Sequence, residues 1–174
     1  MSLRGSALAS TGELAEAVHV ITTGIAHLQS TGTTTFIPWW LSNLTRAHAD
    51  LGQFDAAWRC IGEAMTALET TQERWCEAEV NRIAGEIALM SPEPDEAKAQ
   101  AYFERALSVA RQQQAKSWEL RAAMSMARLW RDQGKVRQAR ELLAPVYGWF
   151  TEGFDTLDLK EAKALLDQLS SPKT

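Results

Sequence analysis

Cysteine, proline and glycine are all scarce in this chain of 174 residues, with two, five and ten copies. The two cysteines, Cys60 and Cys76, make no metal-ligand spacing and lie within helical pattern, so they read as buried thiols rather than ligands. Few Gly and Pro among many Ala, Leu, Glu, Gln and Arg leave the residues that lose least on entering a helix, so the chain is expected to be all-α. No uncharged apolar run approaches the length of a membrane span, and no charged start precedes an apolar stretch, so neither a span nor a signal peptide is indicated. The expected location is the cytoplasm. Excess positive charge is missing too: the net charge is −4, against a general nucleic-acid-binding surface.

With 45% hydrophobic residues, the chain is able to bury one core. Self-similarity shows how. Segments around Ala17, Ala57, Ala99 and Ala139 align at intervals of 40, 42 and 40 residues, and seven positions later stand Gly24, Ala64, Ala106 and Val146. A repeated helical hairpin explains the period. A Gly turns the chain out of the first helix, as in Leu51-Gly52-Gln53-Phe54 and Gln133-Gly134-Lys135-Val136, and the small Ala lets the second helix approach its neighbour closely.

First helices are read over Trp39–Leu51 and Leu120–Asp132, with Glu79–Met90 supplying that of the unit between them. Pro92 and Pro94 stop the latter, and Asp95 is positioned to cap the next helix. The junctions that carry Trp75, Trp118 and Leu157 are expected to plug adjacent hairpins together. The resulting fold is a right-handed superhelix of stacked antiparallel hairpins, an α-solenoid of about three and a half repeats. Its single domain spans 4–170, with units at roughly 4–30, 34–72, 75–113 and 116–152 and a capping helix at 157–169. Residues 1–3 read as a cloning scar, 171–174 as a polar tail, and the segment from Gly12 to Gly24 as a second helix with almost no room for a first. That truncation suggests a fragment.

The pattern Leu44, Leu51, Gly52, Phe54, Ala57, Ala64, and again Ala127, Gly134, Ala139, Val146, resembles the tetratricopeptide repeat (TPR), whose usual period is about 34 residues. The longer period here resembles the MalT-like variety. The stretches Ala115–Ala123, Leu129–Gly134 and Leu143–Thr156 are similar to the carboxy-terminal repeat region of bacterial class III adenylate/guanylate cyclase proteins and ATPase-type transcriptional regulators. The resemblance implies a regulatory segment of a larger signalling protein. No cyclase aspartates and no phosphate loop can be carried over, because neither region is in this sequence.

Catalytic patterns are missing as well. There is no Gly-x-Ser-x-Gly elbow and no His-Glu-x-x-His pair, so the segment is read as non-enzymatic, with no cofactor or metal. His19 and His27 are able to share a helix face but have no third ligand beside them. Glu77 with Glu79, and Glu93 with Asp95 and Glu96, read as solvated surface rather than acid/base pairs. Of the seven tryptophans, Trp58, Trp75, Trp118, Trp130 and Trp149 fall at positions expected to face the interior.

The concave surface, lined by first helices, is the candidate site. The TPR register places there Trp39, Ser42, Asn43, Arg46 and Asp50, then Glu79, Arg82 and Glu86, then Arg121, Ser125, Arg128 and Arg131. Two readings of these arginines stand together. They grip an acidic peptide or chain terminus, or Arg46, Arg82 and Arg128 simply pair with Asp50, Glu79 and Glu86. The partner expected is a protein or peptide, acidic in the first reading, or another domain of the parent chain, with neither nucleic acid nor membrane. A homodimer of the fragment is a further expectation, because truncation bares an apolar face. The alternative function is a small-molecule sensor, which calls for an enclosed apolar pocket instead of an open polar groove.

Overall fold

The computed structural model describes residues 13–170. The expectations for residues 1–3, for Gly12 and for 171–174 therefore fall outside the described residues. Among the described residues eight helices follow one another: α1 (Leu14–Ser30), α2 (Ile37–Asp50), α3 (Phe54–Thr71), α4 (Glu77–Met90), α5 (Glu96–Gln112), α6 (Lys116–Asp132), α7 (Val136–Gly148) and α8 (Leu157–Ser170). A 3-10 turn, Arg74–Cys76, leads into α4, and no strand occurs among the described residues.

Short connections fold α2 onto α3, α4 onto α5 and α6 onto α7. The first helices also touch in series, α2 with α4, α4 with α6 and α6 with α8, so they form one inner row. The repeat register is a packing register: Ala17, Ala57, Ala99 and Ala139 are wholly buried, and Gly24, Ala64, Ala106 and Val146 are buried two turns later on the same face.

Backbone geometry explains the turns. Gly52 has φ +72, its N–H donates to Ala49 O at 2.9 Å, and the N–H of Gln53 donates to His48 O at 2.9 Å. Gly134 repeats this with φ +77, donating to Arg131 O at 3.0 Å, while Lys135 donates to Trp130 O at 2.7 Å. Both are Schellman closures, which satisfy the last carbonyls of a helix and favour glycine at the left-handed position. The third hairpin turn is built otherwise: α4 ends before Pro92, and Asp95 Oδ1 accepts from the Lys98 N–H at 2.8 Å, capping α5.

One contact ties the central hairpin together. A methyl built on Gly85 in α4 would stand 2.4 Å from the ring of Phe103, which α5 buries completely, so only glycine admits that ring. At the far end Leu159, Ala162, Leu165 and Leu169 of α8 join the core formed by α6 and α7.

The tryptophans divide. Trp58 and Trp130 are half-buried against the core, and Trp118 packs on Ala78, Val109 and Ala110. Trp75 and Trp149, expected inside, are instead 40% and 58% exposed. Both stand at hairpin junctions, Trp75 in the 3-10 turn and Trp149 just beyond α7.

Candidate interaction surface

Residues spaced by three, four or seven lie on one helix face, so the candidate residues of α2, α4 and α6 line up along the inner row. Their guanidinium and carboxylate groups form a continuous lattice. Arg46 Nη1 donates to Glu86 Oε2 at 2.9 Å and its Nε lies 3.7 Å from Asp50. Arg82 donates from Nε and Nη2 to the two oxygens of Glu79, each at 2.7 Å, and from Nη1 to Glu86. Ser125 on α6 donates to Glu86 at 3.1 Å. Arg121 reaches Glu79 at 3.5 Å on one side and donates to Asp158 of α8 at 2.7 Å on the other. Thus Asp50, Arg46, Glu86, Arg82, Glu79, Arg121 and Asp158 connect four helices without a break.

Two further bridges join α6 to α8: Arg128 donates to Glu161 at 2.8 Å and Arg131 donates to Gln168 at 2.9 Å. Arg128 therefore pairs with Glu161, not with Glu86. Neither Glu161, Asp158 nor Gln168 was among the candidates, because Leu159 to Leu169 reads from sequence as a cap. Their spacing of three and seven carries the signal, since it is the polar counterpart of the stripe Leu159, Ala162, Leu165 and Leu169.

Depth sorts the candidates. Ser42 does not line the surface: it is fully buried, its hydroxyl donating to Trp39 O at 2.8 Å. Asn43 is half-buried and donates to the same carbonyl at 2.8 Å. Glu79, Arg82 and Ser125 are buried beneath the rim, whereas Arg46, Arg121, Arg128 and Arg131 stay partly open to solvent. Burial lowers the affinity of Arg82 for its proton, but hydrogen bonds and charge from Glu79 and Glu86 outweigh it, and the net shift is upward. A small polar cleft of about 170 Å³ lies between Arg46, Arg121, Arg128, Asp158 and Glu161.

Glu77 and Glu79 are not the solvated pair their spacing suggested. Both are buried, Glu77 accepting from Arg105 at 2.6 Å and Glu79 from Arg82. Of the other acidic set, Asp95 is the helix cap and Glu96 accepts from Gln133 at 2.8 Å. His19 and His27 are exposed, and among the described residues no three His, Cys, Asp or Glu converge as a metal site. Burial pushes the thiols of Cys60 and Cys76 up to about 11 and about 12. No helix among the described residues is long and apolar enough to cross a membrane.

An aromatic row borders the charged lattice. Trp39 lies 5.7 Å from Trp75 and 5.7 Å from Trp118, and the guanidinium of Arg121 stands 5.2 Å over the Trp118 ring. Arg121 thus belongs to both the lattice and the row.

No family model matches the sequence, and no curated protein matches it. Among solved structures, the nearly identical TPR-like repeats of a kinesin light chain candidate from Podosopora anserina are similar over 97% of this chain and 82% of that chain, with a TM-score of 0.69 and 16% identity. A singly substituted form of the same repeats covers the same shares with a TM-score of 0.70. At that identity the likeness shows the fold alone: the chain is an α-solenoid of TPR-like repeats.

Proposed function

We propose that this chain is a non-catalytic protein-interaction module that holds a segment of a partner protein along its inner row of helices. The observation that carries the reading is the lattice from Asp50 to Asp158, which presents a polar face across four helices with partly open arginines at its rim. Such a face offers further guanidinium N–H donors to the backbone and carboxylates of an extended or helical peptide. The alternative, a small-molecule sensor, is less favoured, because the cleft within the lattice is small and polar while the larger hollows, one at the Gly52 turn and one along α3, are open to solvent. In the finer reading the module regulates an attached cyclase or ATPase-type regulator of bacterial signalling, as the sequence words near the carboxy-terminal end suggest. That context makes the other domains of the parent chain natural partners.

The test is affinity capture from a lysate of the source organism, followed by titration calorimetry of the captured protein against the chain and against Arg46→Glu with Arg128→Glu. Arg82 is left alone because its loss would strand the buried carboxylate of Glu79. Loss of binding by at least about tenfold, with the helical fold retained, is the expected result. Equal binding by both forms would refute the inner-row site.

A further inference from the structure

A second surface lies off the charged floor, along the edge where the inner helices begin. Phe36 stands edge-on to Trp75 at 5.6 Å, and Trp75, Trp39 and Trp118 continue at 5.7 Å intervals. Two residues before Trp118, the ammonium of Lys116 sits 5.7 Å from the ring of Trp149, which meets Phe150 at 5.2 Å. The row therefore spans the successive hairpin junctions. Its ends are not covered: Phe36, Trp75 and Trp149, with neighbouring Phe154 and Leu157, are exposed large apolar side chains. Contiguous exposed apolar side chains mark interaction sites more often than chance surface.

The charges here are arranged asymmetrically. Glu77 and Glu119 are buried, while the cations that hold them, Arg74, Arg105 and Arg111, are each about half exposed, with Lys116 a third exposed. In a chain of net charge −4, Glu77 and Glu119 thus turn inward beneath outward cations, while Glu73, which accepts from the Phe36 N–H at 3.2 Å, and the exposed Glu152 and Asp155 lie toward the ends of the row. Beside the row, Leu120, Phe150 and Leu159 line a cleft of about 220 Å³ that also carries Glu152 and Asp158, so it has room for one apolar side chain and turns away a carboxylate.

We propose that this edge is a second docking surface, taking a protein segment in which aromatic or leucine anchors are interspersed with carboxylates. The anchors desolvate on the tryptophans and in the cleft, and the carboxylates meet Arg74, Arg111 and Lys116. A basic segment would meet like charge at these three cations. The proposal rests on reading the chain as an interaction module but uses neither Arg46 nor Arg128.

The experiment is fluorescence anisotropy with three short labelled peptides: Glu interspersed with Phe and Leu, the same with Lys for Glu, and the same with Ser for Phe and Leu. The first should bind, and Trp75→Ser or Trp149→Ser should each weaken it about tenfold, while Arg46→Glu with Arg128→Glu leaves it unchanged. Both tryptophans are exposed, so circular dichroism should report an intact fold. Absence of binding up to roughly 1 mM overturns the edge site and leaves the inner-row reading to its own partner. Binding lost only in the arginine variant, or equal binding of the Lys peptide, also overturns it. So does a concentration-dependent dimer abolished by Trp75→Ser, which would make a second copy the occupant.

Discussion

Both carboxylate oxygens of Glu79 accept from Arg82, at 2.7 Å each, and neither side chain is more than a tenth exposed. This fork is the deepest point of the lattice that joins the inner helices. A buried pair contributes little net stability over an apolar replacement, because desolvation offsets the attraction, but removing one partner leaves the other charged and buried.

Arg82→Met should therefore destabilise the fold by about 3–5 kcal/mol, since it leaves the buried Glu79 with no cation nearer than Arg121 at 3.5 Å. Arg137→Met, which breaks an exposed pair with Glu141 on α7, should leave stability unchanged within measurement error. Urea denaturation of the two variants checks the contrast.

Two glycines within helices should respond oppositely to alanine. Gly62 has nothing within 4 Å of an added methyl, so Gly62→Ala should stabilise by about 0.5–1 kcal/mol through helix propensity. At Gly85 the same gain is outweighed, because the methyl meets the fully buried Phe103 ring at 2.4 Å, and Gly85→Ala should cost about 1–3 kcal/mol. Thermal denaturation of both variants would show shifts of opposite sign.

The buried thiols give a base-side pH dependence. In the unfolded chain a cysteine ionises near about 8.5, whereas burial raises Cys60 to about 11 and Cys76 to about 12. Folded pKa values above the unfolded value mean a contribution that is complete below about pH 8.5 and is lost as pH rises toward the folded values. Stability should fall across that interval, and the fall should be smaller in Cys60→Ala with Cys76→Ala. In the native protein at neutral pH, both thiols should react with a disulfide reagent only at the rate of unfolding.

The repeat was legible because close packing needs a small residue at a fixed place, and Ala17, Ala57, Ala99 and Ala139 keep that place. The turns at Gly52 and Gly134 were legible for the same reason, a backbone conformation that favours one residue type. Partner choice across helices was not. Whether Arg128 meets Glu86 or Glu161 depends on the stagger between neighbouring helices, which no spacing within one helix encodes. Exposure at junctions was hidden too, since Trp75 and Trp118 occupy similar sequence positions but only Trp118 is backed by a buried cluster.

The inner-row site is tested most directly by photocrosslinking in cells of the source organism. A benzophenone amino acid is placed at position 46 or 128, on the inner helices, or at 59 or 140, exposed on the outer helices α3 and α7. A partner trapped from 46 and 128 but not from 59 and 140 is the expected result. Trapping from 59 or 140 alone, or equally from all four, would contradict it.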